Sequence, residues 1–320
     1  MNLGTEVGLK MGKATRDAFG EALRDIGREN PAVVVVDGDV ANSTRTEWFG
    51  KEFPDRFFDV GIAESNLVGV ASGLAASGKI PVAASFAAFL LCNAYDQIRM
   101  AVAYPHLNVK LVGSHAGISI GEDGPSQMAI EDVALACALP GVVVLVPADE
   151  HAARAATRAM IAYEGPTYLR VGRPNVPVVY DESVQIEIGK AITVRDGSDV
   201  TIIANGLMVA AALDAAARLA GQGIEARVLD MHTVKPLDEA AVAAAARETG
   251  GIVVAEEHLH HGGLGSVVAM AVARLHPCRM GFVDLGDTYA QSGTGAELLR
   301  EYGLTADRIV EEATRIVRGE

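Results

Sequence analysis

The stretch "FFDVGIAESNLVGVASGLAASGKIPVAASF", residues 57–86, decides the fold class of this chain. An aromatic run, a segment of small and apolar residues and a second apolar run follow one another, which predicts a strand, a helix and a strand. One carboxylate, Glu64, lies inside this otherwise apolar sequence. Because an acidic residue in the first turn of a helix is favoured by the helix dipole, a helix start explains Glu64 without any function.

The same alternation of strand and helix extends over most of the chain. Val- and Ile-rich runs predict buried strands at 32–39, 80–86, 108–114, 142–148, 166–172, 199–206, 225–231 and 251–257. Amphipathic segments predict helices at 13–29, 149–163, 208–222 and 237–249. This pattern is typical of an α/β protein with mostly parallel sheets flanked by helices. A Pro-rich break within 172–189 separates two domains, so we expect an N-terminal arm (1–12), a first domain (13–175), a linker (176–186) and a second domain (187–320).

The composition excludes several classes of protein. The 27 basic and 41 acidic residues give a net charge of −14, which argues against nucleic acid as a partner. No apolar run reaches the ~18 residues of a membrane span, and the N-terminus lacks the pattern of a signal peptide. The three cysteines (Cys92, Cys137 and Cys278) form no CxxC pair. We therefore expect reduced thiols in a cytoplasmic protein that has no membrane partner.

"GSHAGISIGEDGPSQMAIED", residues 113–132, forms a long polar loop after a predicted strand. Loops of this length in compact domains usually serve a function, and ligands of parallel sheets gather at the carboxyl ends of the strands. By residue type alone, His115 is a general acid/base, a phosphate ligand or a structural side chain. Phe86 and Phe89, three residues apart, fit either core packing or an apolar floor for a flat heterocycle.

Two glycine-containing motifs are set aside. "VVVVDGDV", residues 33–40, inverts the Gly-Asp-Gly order of a metal–diphosphate site, so we expect no metal ligand there. "HHGGLGSVV", residues 260–268, lacks the glycine spacing and the downstream acid of a dinucleotide loop. It is predicted to begin a closely packed helix instead.

Four motifs, in this order, resemble the C-terminal part of transketolase: "DVGIAESNLVGVASGLA" (59–75), "SFAAFLLCNAYDQIRMA" (85–101), "GSHAGISIGEDGPSQMAIEDVAL" (113–135) and "RVLDMHTVKPLD" (227–238). The resemblance extends over about 13–320 and implies the pyrimidine-binding domain of a thiamine-diphosphate enzyme, followed by the transketolase C-terminal domain. The family's remaining domain, which holds the diphosphate and Mg²⁺, has no counterpart in the sequence. We expect one subunit of a split transketolase rather than a fragment.

The resemblance also implies partners. An N-terminal transketolase subunit would carry the diphosphate-binding domain and the Mg²⁺ ligands. This chain would form a homodimer within an α2β2 assembly and would be active only with that subunit.

The resemblance assigns roles to individual residues. Glu64 is implied to be catalytic and cofactor-binding, because its carboxyl group would hydrogen-bond to the pyrimidine ring and promote the imino tautomer that removes the cofactor's proton. An apolar setting raises the pKa of a carboxyl group, which suits this task. Phe86 and Phe89 match the lining of the pyrimidine pocket, and Asp39 matches a turn that faces the cofactor.

The implied substrate is a sugar phosphate. Asp123 would contact a hydroxyl of the donor sugar, and Asp123 and His115 are the further catalytic candidates. The positions that match substrate contacts are Arg16, Ser43, His115, Asp123, Gln127 and Arg173. Guanidinium groups pair well with phosphate. Gln127 is able to hydrogen-bond to a substrate but not to shuttle a proton at neutral pH.

The expected reaction transfers a two-carbon ketol unit from a ketose phosphate to an aldose phosphate, as in pentose phosphate chemistry. Two alternatives stay open. One is the β subunit of a 2-oxo acid dehydrogenase E1 component, which is less consistent with the loop at 113–132 and with Arg173. The other is a non-catalytic subunit that retains the fold. The joint presence of Glu64, Asp123, His115, Arg16 and Arg173 argues against it.

Overall fold

The computed structural model describes residues 3–320, so the first two residues of the expected N-terminal arm, Met1 and Asn2, lie outside the described residues. The strands are, in chain order, β1 (Met11–Ala14), β2 (Val33–Asp37), β3 (Phe57–Asp59), β4 (Ile80–Phe86), β5 (Lys110–Ser114), β6 (Val143–Leu145), β7 (Thr167–Arg170), β8 (Asn175–Pro177), β9 (Ile192–Arg195), β10 (Val200–Ala204), β11 (Ala226–Asp230), β12 (Thr233–Lys235), β13 (Ile252–Ala255) and β14 (Met280–Val283).

Helices connect these strands. They are α1 (Thr15–Glu29), α2 (Ala41–Thr44), α3 (Glu47–Glu52), α4 (Glu64–Ala76), α5 (Ala87–Asn93), α6 (Tyr95–Gln97), α7 (Asp132–Ala138), α8 (Glu150–Ala162), α9 (Met208–Ala220), α10 (Glu239–Glu248), α11 (Leu264–Leu275), α12 (Gly295–Glu301) and α13 (Ala306–Arg318). A π-helix, Ile98–Ala103, follows α6, and short 3₁₀-helices lie at Pro54–Arg56 and Ile118–Ile120. No helix within residues 3–320 is long and apolar enough to span a membrane.

The first sheet has the order β12-β6-β7-β5-β4-β2-β3, and its neighbouring strands run parallel except for the β12–β6 pair. Side chains alternate between its two faces, as they must in any strand. Val33 and Val35 pack with helices α1 and α8, whereas Val36 packs with helices α4 and α5. Both faces are thus buried, which explains why β2 reads as an unbroken run of valines.

The second sheet has the order β14-β13-β10-β11-β9, with only β9 antiparallel to its neighbour. Helices α9 and α13 cover one face, and helices α10 and α11 cover the other. The sequence-based prediction of an α/β fold with mostly parallel, helix-flanked sheets is therefore confirmed.

The two domains are joined more closely than the sequence indicated. Strand β12, which follows β11 of the second sheet, leaves that sheet and pairs antiparallel with β6 of the first. One hydrophobic cluster contains Leu67 of the first domain together with Leu229 and Val268 of the second. The chain therefore has a continuous core across the boundary between its sheets.

The N-terminal arm spans both parts of the molecule. The buried carboxylate of Asp214, on α9, accepts hydrogen bonds from the backbone N–H groups of Glu6 (2.8 Å) and Val7 (3.3 Å). Immediately afterwards, β1 pairs antiparallel with β8. These contacts fix the entry into α1, whose first turn contributes to the candidate site.

Candidate active site

The polar residues singled out in the sequence lie at the carboxyl edge of the first sheet. Phe86 ends β4 and His115 directly follows β5, its parallel neighbour. Asp39 follows β2, on the other side of β4. Glu64 begins α4, the helix that follows β3. Because these parallel strands are adjacent, their ends bring together side chains from separate parts of the sequence.

Glu64 is the first residue of α4 and is buried, with 7% of its surface exposed. Among residues 3–320, its one hydrogen bond to a side chain comes from Asn93 Nδ2, at a long distance of 3.5 Å to Oε2. A helix start therefore explains its backbone position, as expected, but the free hydrogen-bonding capacity of a buried carboxyl group points to a further partner.

Phe86, Phe89 and His115 form a stack of flat rings. The rings of Phe86 and Phe89 are nearly parallel, with centroids 5.8 Å apart, and the imidazole of His115 lies 4.0 Å from the Phe86 ring. The two phenylalanine rings pack on each other and also form an apolar wall beside the polar cluster.

The hydrogen bonds of His115 fix its tautomer. A guanidinium group only donates, so His115 Nε2 accepts from Arg16 Nη1 at 3.1 Å. Nδ1 then carries the proton and donates to Ser114 Oγ at 2.8 Å. Burial, followed by the charges of Arg16, Arg173 and Arg45, lowers the pKa of His115 to about 3. His115 is thus a neutral acceptor, held in place by Arg16.

Three arginines, Arg16, Arg45 and Arg173, lie close enough to this histidine for their charges to act on it. Arg16 Nη1 also donates to the carbonyl oxygen of Ser43 at 3.0 Å. Its buried Nε has no hydrogen-bond partner among residues 3–320, since the nearest carboxylate oxygen, Asp17 Oδ1, is 3.8 Å away. Burial and the neighbouring charge of Arg45 lower the pKa of Arg16. A group of like charges with an unpaired buried donor is suited to an anionic ligand.

Arg173 and Asp123 form an exposed ion pair at the mouth of this cluster, with Nη1 and Oδ1 3.1 Å apart. A cleft of about 270 Å³ lies here, between Arg16 and Arg173 of the first domain and Gly295 and Ala296 of the second. Arg173 lines this cleft directly, and its ion pair holds Asp123 beside it.

The two aspartates of "DGD" have different roles. Asp37 is fully buried, and its Oδ2 accepts hydrogen bonds from Thr44 (2.8 Å) and Thr46 (2.7 Å). Burial raises the pKa of Asp37 despite these bonds. Asp39 is exposed, with left-handed backbone (φ 62°). Asp37 therefore stabilises the turn that presents Asp39 and Ser43.

The loop after β5, residues 115–131, is called the donor loop below, after the predicted contact of its Asp123 with a donor sugar. Gln127 lies near its end, where the side-chain oxygen accepts a hydrogen bond from Ser126 Oγ at 2.7 Å. Within the described part of the chain, Gln127 makes no hydrogen bond to Arg16, Arg45 or Arg173. The structure thus places Gln127 on the same loop as His115 and Asp123 but not in their immediate cluster.

The segment "HHGGLGSVV" begins α11, in agreement with the prediction of a closely packed helix. The buried carboxylate of Glu256 accepts from the backbone N–H groups of Leu264 (2.8 Å) and Gly265 (2.7 Å). The helix N-terminus is therefore neutralised by an acid of the chain itself. No group of three or more potential metal-ligating side chains occurs within residues 3–320.

Two residues that contact the cluster, Arg45 and Asn93, were not predicted from the sequence. Arg45 adopts a left-handed backbone (φ 69°) and pairs with Asp17 at 2.6 Å. Its position two residues after Ser43 was the available signal. The contact of Asn93 with Glu64 was not predictable, because nothing in the local sequence distinguishes this asparagine from one exposed on a helix.

Two known domain families match most of the chain. Residues 11–179 match the transketolase pyrimidine-binding domain, and residues 189–309 match the transketolase C-terminal domain. The chain belongs to the transketolase family.

Relatives within the family are of two lengths. The chain is 41% identical over 301 residues to the 6-deoxy-6-sulfo-D-fructose transketolase subunit SqwH of Clostridium sp. (strain MSTE9), covering 94% of each protein. It is 39% identical to transketolase of Homo sapiens, over 95% of this chain but only 49% of the human enzyme. Among solved structures, the inactive β4 tetramer of a split-gene transketolase superposes with a TM-score of 0.90 and 45% identity, covering 96% of this chain and 99% of that one. The resemblance to the C-terminal subunit of a split transketolase is therefore confirmed.

Proposed function

We propose that this chain is the C-terminal subunit of a two-chain transketolase, which transfers a two-carbon ketol unit from a ketose phosphate to an aldose phosphate. One observation carries the proposal: Arg16, Arg45 and Arg173 meet around a neutral His115 at the edge of the sheet that also presents Glu64. This combination provides an anion site beside a buried carboxyl group. It fits a sugar phosphate better than it fits a 2-oxo acid, which has no terminal phosphate.

Membership of the family implies thiamine diphosphate as the cofactor. The residues fit its pyrimidine ring, because Phe86 and Phe89 offer a flat apolar wall and Glu64 is a buried carboxyl group with one long hydrogen bond. When bound, the cofactor would supply the nucleophilic carbon that carries the two-carbon unit. Glu64 would hold a proton at the pyrimidine ring nitrogen, and Asp39 would face the cofactor from the neighbouring turn. We expect the Mg²⁺ ligands on the partner subunit.

The substrate contacts follow from the cluster. Arg16 and Arg173 would bind the terminal anion of the sugar, with His115 and Ser43 beside them. His115 accepts a hydrogen bond from Arg16, so its contribution is to orient that guanidinium group rather than to transfer a proton. Asp123, once free of Arg173, would contact a donor hydroxyl, and Gln127 would contact the substrate from the same loop. The role of each of these residues stays a prediction.

The proposal includes two partners of this chain: a second copy of the same chain, and a different subunit that carries the diphosphate domain. Helix α4 exposes Ser65, Gly69 and Gly73, and the neighbouring Ile62 is 78% exposed. Such a small-residue, apolar surface next to Glu64 supports a homodimer contact there. The inactivity of the β4 tetramer of the split-gene relative supports the need for a chain that carries the diphosphate domain. The α2β2 assembly, the cytoplasmic location and the domain limits at 13–175 and 187–320 stay predictions.

Reconstitution tests the function directly. The chain is co-expressed with the diphosphate-domain subunit from its own genome, and the purified complex receives thiamine diphosphate and Mg²⁺. We expect conversion of xylulose 5-phosphate with a ribose-phosphate acceptor, and no conversion by either subunit alone. Because one relative is named for a sulfonated ketose, 6-deoxy-6-sulfo-D-fructose is tested in parallel to distinguish a phosphate from a sulfonate terminus.

The outcome separates the rival functions. Activity with a 2-oxo acid and with no ketose would favour a dehydrogenase subunit. A complex that assembles and binds the cofactor but processes none of these substrates would favour the non-catalytic alternative.

A further inference from the structure

We infer that Glu257, a residue of the second domain, is a positioning residue for the donor loop of the first domain. This inference rests on the proposed function, because it assigns to the second domain the task of holding His115 and Asp123 in register with the substrate. Glu257 is the second residue after the end of β13, at the carboxyl edge of the second sheet. It does not touch the arginine cluster, so it would act through the loop.

The side chain of Glu257 holds the start of the donor loop. Its Oε1 accepts a hydrogen bond from the backbone N–H of Ser119 at 2.6 Å, across 138 positions of sequence. The carboxylate also lies directly against Gly117, where an added Cβ would be 2.2 Å from Glu257 Cδ. Gly117 has a left-handed backbone (φ 81°), so both conformation and space require glycine there. The carboxylate thus fits closely into a bend of this loop.

Arg170 holds the end of the same loop. Its Nη2 donates to the carbonyl oxygens of Ala129 (2.9 Å) and Glu257 (3.0 Å), and its Nε donates to Asp132 Oδ2 at 2.8 Å. The charged side chains of Arg170, Asp132 and Glu257 are all buried. Buried charges remain favourable only when they are paired in good geometry, so the network has little freedom to rearrange. It therefore ties the two ends of the donor loop to β7 and to the second domain at once.

Apolar side chains of the loop are buried in the core of the second domain. Ile118, Ile120, Met128 and Ile130 belong to the hydrophobic cluster formed by α9, α12 and α13, and each is at most 2% exposed. The backbones also meet closely, since a Cβ at Gly295 would lie 2.5 Å from the carbonyl oxygen of Ser119. Only the tip of the loop, residues 122–127, lies mainly outside this packing.

These contacts explain what the second domain does for the reaction. The loop is anchored on both sides of its tip, and the tip carries Asp123. Because His115 precedes the first anchor by only four residues, a shift at Ser119 would move the histidine relative to Arg16 as well. The carboxylate of Glu257, at the edge of the second sheet, accepts the backbone hydrogen bond of this first anchor.

The test compares Glu257→Gln with Glu256→Gln. The two glutamates are adjacent and both are buried, but Glu256 holds the N-terminus of α11 and does not contact the loop. In the full chain, we expect amide hydrogen exchange in the peptide that spans 117–123 to become at least about tenfold faster in E257Q and to stay at the wild-type rate in E256Q. In the reconstituted complex, we expect E257Q to raise KM for the phosphorylated donor about tenfold, which corresponds to about 1.4 kcal/mol, with a smaller change in kcat.

A second variant at the same position keeps the test valid if Glu257→Gln does not fold. Glu257→Asp keeps the negative charge near Arg170 but shortens the reach to Ser119, so it should weaken the loop contact while preserving the charge balance. Unchanged exchange in 117–123 for every folded Glu257 variant, or equal KM changes in E256Q and E257Q, would overturn the inference. If the complex shows no ketol transfer at all, the proposed function fails, whereas the exchange comparison still decides whether Glu257 positions the loop.

Discussion

The neutral state of His115 predicts a specific dependence of stability on pH. Its pKa is about 3 in the folded chain against 6.5 as the ordinary value. Between these values the unfolded chain binds a proton that the folded chain does not, so stability falls as the pH drops below 6.5. From pH 7.5 to pH 5.5 the linked loss amounts to about 1.4 kcal/mol. We choose pH 5.5 as the lower limit because the sequence pI is about 5.0, where association is promoted.

The variant His115→Asn isolates this contribution. Asparagine tolerates the left-handed backbone that His115 adopts (φ 59°) and does not titrate. We expect the difference in free energy of unfolding between wild type and variant to shrink by about 1.4 kcal/mol between pH 7.5 and 5.5. His232, whose pKa burial lowers to about 4, is present in both proteins and cancels.

Urea unfolding followed by the fluorescence of Trp48, the only tryptophan, measures this difference at equal protein concentration. A difference that stays constant within about 0.5 kcal/mol would refute the assignment of a neutral, Arg16-bound histidine. Titration of the chain with ¹⁵N-labelled histidine gives an independent check, since the His115 resonances should not shift between pH 8 and pH 5.

Three further predictions concern other groups. Glu64→Gln should lower kcat of the complex at least about 100-fold with an unchanged thermal midpoint; retained turnover would contradict its role in proton handling. Arg173→Ala should raise KM for phosphorylated donors about tenfold and leave unphosphorylated donors nearly unaffected, whereas an equal loss for both would argue against an anion contact. Burial raises the pKa of Asp230 to about 7, so the free energy of unfolding of wild type relative to Asp230→Asn should fall by about 1.4 kcal/mol between pH 6 and pH 8 in urea unfolding; a constant difference would contradict the raised pKa.

Local patterns in the sequence were sufficient for most of the fold. The strand at 80–86 was predicted with its observed limits, and the helix at 208–222 differs only at its C-terminal end. Both have a strong periodic or β-branched pattern. Strand β12 is three residues long, and its partner β6 lies almost ninety positions earlier in the chain. No window of neighbouring residues contains that pairing, so the connection between the two sheets was not foreseen.

Residues of the candidate site also differ in how far the local sequence predicts them. Glu64 and His115 were identified because each stands out against its immediate surroundings. Glu257 was not, because an acid after a β-strand looks ordinary until Ser119, 138 positions away, is known to bind it. Arg45 was missed because its importance lies in the charge that it adds to Arg16 and Arg173, which is a property of the folded chain.

The internal capping of α11 by Glu256 makes the two sheets chemically unequal. In open parallel sheets the carboxyl edge is where ligands bind, and this chain has two such edges. At the first edge, Arg16 and Glu64 keep unused hydrogen-bonding capacity. At the second, Glu256 accepts from two backbone N–H groups, and Oδ2 of Asp230 accepts from the hydroxyl of Tyr180 at 2.7 Å. A phosphate at the N-terminus of α11 would have to displace the Glu256 carboxylate, so the protein itself occupies this anion position, whereas the buried Nε of Arg16 at the first edge stays available to a ligand.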